Sequence, residues 1–460
     1  MSLTGPARPP EAGPATPGPA AKAGAAETGA AKPSRVALAK VATVVTAAAV
    51  AVAGWAWLRA HPTPPAPPSL TAASMSLRPV PWEGGPAAYA GWPRAVAAGW
   101  TEPAFFPVGL WFATVREREH VTADRAMGVN TYVELTADSR PGLLRGTGMS
   151  ALTAGGPAAG AAPETVGATL PGKADEWAGI GHARWSGKAG PEQCRPKLSF
   201  CGHTVLRTRA RELPDGSRPV YATFGKGVAH QATDPAGGMF VNDYADLVGV
   251  DVSWYADENV CREAARWRQL PITQCRAAAG YGATVDRIRE LDALDGRRKP
   301  VFSVISLAGL TPGQVGGAVM SSLIHGARGI VYDAHDPGPR CESANLLRTA
   351  CGAPVRKAVT ELNALIGRLA PVLNTQSYAY DFAPQLDTML KRHDGAYYLF
   401  AMLGRGTATG GHPLTVPANL SPRGRVEDVL TGRPVEVDRE GRFTAAFPAE
   451  HAYHVYRITP

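Results

Sequence analysis

The chain of 460 residues is 45% hydrophobic, 7% aromatic and 19% charged, with a formal net charge of +8 and six cysteines. Half of the charge excess is N-terminal: the first sixty residues hold Arg8, Lys22, Lys32, Arg35, Lys40 and Arg59 against Glu11 and Glu27. What remains is long enough for one large and one smaller domain, and the absence of a long basic run with interleaved aromatics argues against a nucleic-acid partner.

Residues 1–35 are mostly Ala, Pro and Gly, too poor in large apolar side chains to offset the entropy of ordering, which predicts disorder. Val36–Leu58 is then apolar except for Lys40, Thr43 and Thr46, with Trp55 and Trp57 where interfacial aromatics belong, and reads as a transmembrane or signal-anchor helix. Lys32 and Arg35 before it, with Lys40 near its start, predict a cytoplasmic N-terminus, hence a single-pass cell-membrane protein with an extracellular body. The alternative is a signal peptide cleaved near Ala51–Gly54 and a secreted body. Residues 59–100 are rich in Pro, Ala and Gly, with five prolines between His61 and Leu70, and read as a linker.

Residues 101–375 carry alternating strand and helix signals. Phe105–Phe112 and Asn130–Leu135 are the first two strands, with a short helix over Ala123–Met127 between them. Thr136–Ala162 is small and polar, and a further strand is expected inside it. Glu164–Leu170, Pro219–Phe224 and Asp246–Ser253 are short apolar strands, with helices over Thr204–Leu213 and Tyr281–Leu294. Lys299–Asp336 is strand, helix and strand in close succession: Pro300–Ile305, then Thr311–Arg328 with Val315, Val319, Leu323 and Ile324 at helical spacing, a stop at Gly329, and Ile330–Tyr332. Pro354–Leu369, ended by Pro371, is the last large helix. Strands apolar throughout belong to a parallel sheet covered on both faces, so the pattern predicts a (β/α)₈ TIM barrel whose chemistry sits where the strands end. An open doubly wound sheet is disfavoured because no GxGxxG follows the first strand. Residues 376–460 change to short strands, Tyr397–Leu403, Arg425–Leu430, Arg433–Val437, Arg442–Phe447 and Tyr453–Ile458. They read as a small all-β sandwich, with two hairpins in succession over residues 426–443.

All six cysteines follow the apolar segment, as expected of an oxidising compartment. Fifteen pairings are possible. Three local ones, Cys194–Cys201, Cys261–Cys275 and Cys341–Cys351, would each close a connection between barrel elements. The gaps lack a CxxC form and a compact His partner, which disfavours zinc.

Acidic and aromatic residues gather at the predicted strand exits: Trp111, Glu134, Asp175, Glu176, Trp177, Asp251, Trp254, Tyr255, Asp333, His335 and Asp336. Singly, such acids cap helices and such aromatics fill a barrel mouth. Together they suit a carbohydrate, since aromatic faces pack on sugar rings and paired carboxyls bind hydroxyls or share acid and base duties in glycosidic cleavage. Asp251 stands out as a charge within an otherwise apolar strand. His335 is close enough in sequence to orient Asp333, and His325 reads as structural. No metal or cofactor signature is found, no GxSxG elbow suggests an esterase, and no feature specifies an oligomeric state.

FPVGLW, PVYATFGKG, ADLVGVDVSWY, KPVFSVISLAG, HGARGIVYDAHD and LAPVLN together resemble the glycoside-hydrolase-like TIM-barrel proteins of bacteria, often secreted, in which a C-terminal β-sandwich follows the barrel. The resemblance spans Phe105–Pro460. It implies an oligo- or polysaccharide partner, no cofactor, and carboxylates at the ends of strands four and seven. Glu176, or its neighbour Asp175, matches the acid position. The strand-seven Glu is absent, because Ile305 is followed by Ser306, Leu307 and Ala308. The second carboxylate is therefore expected from Asp251, with Asp333 in reserve, or from the more distant base of an inverting enzyme, and substrate contacts from Glu134, Trp111, Trp177, Trp254, Tyr255 and His335. The alternative is a non-catalytic glycan-binding protein on the same barrel.

Overall fold

The computed structural model describes residues 77–154, 162–190, 192–213, 216–338, 341–417, 420 and 425–460. The expected disordered stretch, the apolar segment Val36–Leu58 and the linker up to residue 76 lie outside the described residues. Among those described, no helix is long and apolar enough to cross a membrane.

Eight parallel strands close into a barrel in sequence order: β1 Val108–Trp111, β2 Thr131–Val133, β3 Ser150–Ala154, β4 Thr165–Thr169, β5 Val220–Phe224, β6 Leu247–Val250, β7 Val301–Ser306 and β8 Gly329–Asp333. Closure between β8 and β1 sets Trp111 opposite Asp333, and Trp111 also faces Val133. The strand expected within Thr136–Ala162 is β3. Its sequence, SALTA, has one large apolar residue, Leu152, and this residue needs Gly167 beside it, where a Cβ would lie 2.4 Å from a Leu152 methyl.

The barrel interior holds Val133, Leu152, Val166, Tyr221, Leu247, Phe302, Val304 and Val331, and it continues into Tyr89, Ala95 and Trp100. This corrects the linker. From Arg78 onward the chain is folded, and Trp100 is fully buried with its indole N–H donated to Ser150 Oγ at the start of β3, 3.0 Å away. Tyr89 and Phe105 pack on the same indole at ring separations of 5.0 and 5.2 Å. A segment poor in aliphatic residues thus seals the N-terminal end of the barrel with a few aromatic ones, whose burial is worth more per residue.

Two helix ends differ from expectation. The helix after β7 spans Pro312–Ile324, opened by a reciprocal cap between Thr311 and Gln314. It stops before Gly326, whose φ of 93° suits glycine, while Gly329 begins β8. The last helix, Ala353–Leu373, runs through Pro371 instead of ending at it.

The C-terminal region is a seven-stranded sheet with a two-stranded ribbon against it. Ala396–Leu403 shows why it reads as continuously apolar. Leu399, Ala401 and Leu403 enter a core shared with Leu414, Phe443 and Phe447 of the ribbon, while the alternate residues Phe400 and Met402 enter the barrel core. Two hairpins in succession are not formed. Arg425–Asp428 pairs with Arg433–Val435, but Arg442–Phe447 pairs with Gly410–Thr415, a strand whose glycines and proline hide it. The edge strand of the large sheet is Arg78–Pro79, paired with Ser377–Ala379. His325 ties the layers together, with Nδ1 2.6 Å from Asp286 and Nε2 3.2 Å from Asp387 of the sheet. Burial pulls its pKa down, but the two carboxylates outweigh burial and raise it to about 10.

Candidate functional site

Three non-glycine residues adopt left-handed backbone where barrel strands end: Phe112 after β1 (φ 49°), Glu134 after β2 (φ 57°) and Lys173 after β4 (φ 52°). Each costs about 1–3 kcal/mol and persists only where surrounding bonds fix it. Here the main chain does so. The amides of Phe112, Glu134 and Lys173 donate to the carbonyls of Val133, Leu152 and Thr223 on the following strands, at 2.8, 2.9 and 2.7 Å. Three of the six described non-glycine residues with left-handed backbone thus lie on this rim, the face where barrel loops build sites.

Lys173 Nζ lies 2.7 Å from Oδ2 of Asp251, whose side chain is only 4% exposed. Burial pulls the Lys173 ammonium down, but Asp251, with Glu176 and Asp333 adding to it, brings the net shift upward. Three carboxylates from the exits of β4, β6 and β8 therefore act on one cation. Burial pushes Asp333 up, opposed by the backbone N–H of His335, which donates to its Oδ1 at 3.0 Å, and assisted by Asp251. Burial also pushes Glu176 up, against the N–H of Lys226, which donates to Oε1 at 2.6 Å, and against Lys173. Glu134 is a fourth carboxyl on this rim. Burial raises its pKa against the pull of the Trp111 indole N–H, donated at 2.9 Å. Next to it Gly172 is held by Trp177, whose indole N–H donates to the Gly172 carbonyl at 3.0 Å. A site that holds carboxyls shifted upward beside an ion-paired carboxylate has the two kinds of group that acid–base chemistry needs.

Glu176, Asp251 and Asp333 are thus brought together around Lys173, and Trp111 and Glu134 share the rim. Four other candidates are engaged otherwise. Asp175 is 2% exposed and accepts the amides of Gly225 and Val228 at 3.0 and 2.8 Å. Burial raises its pKa to about 7, and its oxygens are taken up by the amides of the turn after β5, which it anchors. Trp254 is 3% exposed and donates to Thr284 of a barrel helix, so its ring is no sugar platform. Tyr255 donates to Glu450 at 2.6 Å and joins barrel to sheet. His335 hydrogen-bonds Asp333 through its main chain, not its imidazole. Sequence reading missed Lys173, which stands inside PGKADEW among acids that drew the attention, and Phe112, which is 55% exposed with its ring 5.6 Å from Trp111. Their left-handed backbone has no sequence signal when the residue is not glycine. The β7 exit is Ser306, buried, with no carboxylate.

Cys194–Cys201, Cys261–Cys275 and Cys341–Cys351 form disulfides. Among the described residues no group of three or more His, Cys, Asp or Glu side chains is arranged to hold a metal ion.

Among the solved structures that resemble this chain are several glycoside hydrolases. A protein from Bacteroides fragilis described as a putative α-galactosidase matches with a TM-score of 0.44 and 9% identity, over 78% of this chain and 80% of that one. A family 51 α-L-arabinofuranosidase from Bifidobacterium longum matches at 0.43 and 11%, over 86% and 99%, and an α-amylase from Geobacillus thermoleovorans at 0.39 and 11%, over 77% and 98%. These likenesses concern the fold alone. No protein-family model and no curated protein matches the chain.

Proposed function

We propose that the C-terminal rim of the barrel binds an oligo- or polysaccharide and cleaves a glycosidic bond with its carboxyl groups. The observation that carries this reading is the convergence of Glu176, Asp251 and Asp333 on Lys173 from three different strand exits. Glu176, whose pKa is shifted upward and which is open to solvent at the rim, is the general acid that gives its proton to the leaving glycosidic oxygen as the C–O bond breaks. Asp251, paired with Lys173, is the anion that faces the anomeric carbon or takes a proton from the attacking water, with Asp333 as reserve. Glu134, Trp111 and Phe112 supply hydroxyl contacts and an aromatic surface.

A second reading, glycan capture without cleavage, is favoured by one specific feature. Asp251 is neutralised by a buried ion pair, and β7 ends in Ser306 where a carboxylate would complete a pair. The wild-type protein on a glycan array, with product analysis on the glycans it retains, separates the two. Products from a bound glycan establish cleavage, binding without products establishes capture, and neither across bacterial and plant polysaccharides removes both. Export belongs to the same proposal, supported by three disulfides and by the apolar segment Val36–Leu58. Protease added to intact cells is expected to digest the body, and its protection would contradict export.

A further inference from the structure

The loops that follow β4 and β6 are closed by Cys194–Cys201 and Cys261–Cys275, and both turn large apolar side chains outward. Leu198 and Phe200 are 91% and 61% exposed on the first, Trp267 and Ile272 are 46% and 65% exposed on the second. Exposed aromatics on covalently closed loops lose little further freedom when a ligand covers them. Phe200 and Trp267 line one cavity of about 410 Å³, together with Glu176, Lys226, Gln231 and Glu263, a volume within the roughly 300–1,000 Å³ of small-molecule sites. The position of Phe200 is built in. A Cβ at Gly179 would come within 2.2 Å of its ring, and one at Gly181 within 2.4 Å of its carbonyl oxygen. Trp267 is steadied by Arg266, whose guanidinium lies 5.0 Å from the ring centroid.

The polar lining selects among ligands. Lys226 is already paired with Asp257 at 2.6 Å and Glu263 at 2.7 Å, so the one lysine of the lining is committed to two carboxylates and offers no spare charge to an anionic sugar. Gln231 is exposed at the rim of the cavity, with donors and an acceptor to offer. We propose that this cavity is a second saccharide subsite, taking a neutral sugar ring against Phe200 and Trp267 while a preceding unit of the same chain occupies the carboxylates around Lys173. The proposal rests on the glycan reading of the rim and deepens it, because Glu176 borders both places and a chain of several units connects them.

The test is calorimetric titration of the full chain with neutral cello-, xylo-, malto- and chito-oligosaccharides of two to six units. In at least one series affinity is expected to rise about tenfold with length, an increment typical of stacking on a single aromatic ring. Trp267→Ala and Phe200→Ala should each remove most of that rise, while Trp267→Phe, which keeps a ring, retains most of it. A collapsed loop would not be rescued in this way, and equal loss in Trp267→Phe and Trp267→Ala counts against stacking. The same rise in both alanine variants as in wild type overturns the subsite and leaves the reading of the rim intact. No binding of any neutral series also overturns the subsite, and the reading of the rim falls with it only if the glycan array is blank as well.

Discussion

Replacing Lys173 tests whether the rim is an electrostatic unit. Lys173→Met keeps the length of the side chain and removes the charge that Asp251 faces. Breaking a buried ion pair from one side costs about 3–5 kcal/mol. Asp251 is 4% exposed but Lys173 is 31% exposed, so solvent screening reduces the expected loss to about 2–3 kcal/mol. Lys173 also sits at φ 52°, so Lys173→Gly removes the same pair while releasing about 1 kcal/mol of backbone strain, and should be the milder variant. Urea unfolding at neutral pH measures both, and the double variant with Asp251→Asn should show coupling above about 1 kcal/mol. Lys173 holds the carboxyls of Glu176 and Asp333 down, so in Lys173→Met both should titrate at higher pH when followed by carboxyl ¹³C NMR. A loss below about 0.5 kcal/mol, a glycine variant worse than the methionine one, or unmoved titrations would refute the reasoning.

The remaining predictions concern the frame that holds the rim. Trp100→Ala empties the plug at the N-terminal end of the barrel and should cost about 3–5 kcal/mol by chemical unfolding; an unchanged midpoint would show the segment from Arg78 to Phe105 to be dispensable. His325 has its folded pKa raised to about 10 by Asp286 and Asp387. Its contribution should therefore be complete below about 6.5, the free histidine value, and be lost as pH rises through about 10. Melting temperatures between pH 6 and 11 should show that decline in wild type and not in His325→Gln. Non-reducing peptide mapping should find the three local disulfides, each closing a loop worth about 2–4 kcal/mol, and free thiols at those positions would contradict the pairing.

Seven barrel strands are legible because each is a short apolar run between breakers, the pattern that burial on both faces imposes. β3 is not, since Ser150, Ala151 and Thr153 pack by being small, and smallness is also the mark of a loop. The segment before the barrel misleads in the opposite way. Its alanines and prolines suggest a tether, and only Tyr89 and Trp100 reveal that it has anchors to bury. In the C-terminal sheet Ala396–Leu403 is plain, whereas Gly410–Thr415 owes its strand form to its partner Arg442–Phe447 rather than to its own residues. At the rim, Asp251 and Asp333 are legible as charges ending apolar strands. Asp175 and Glu176 are adjacent and alike in sequence, and only the turn after β5 separates them: its amides at Gly225 and Val228 take Asp175, while Lys226 N–H leaves the second oxygen of Glu176 at the rim. Trp254 and Tyr255 follow the same strand exit as Asp251 but turn toward Thr284 and Glu450, partners too distant in the chain for a local pattern to announce.

The most direct measurement is product formation from an array-identified glycan by wild type, Glu176→Gln and Asp251→Asn, with glycan affinity and unfolding midpoint recorded on the same samples. Each substitution keeps shape and removes an ionisable group. The account predicts that turnover falls by about 10²-fold or more in both variants, the scale of acid–base assistance, while affinity changes by less than about tenfold and both proteins remain folded. Turnover at the wild-type rate in folded Glu176→Gln and Asp251→Asn proteins would contradict the claim that the carboxylates around Lys173 carry the chemistry.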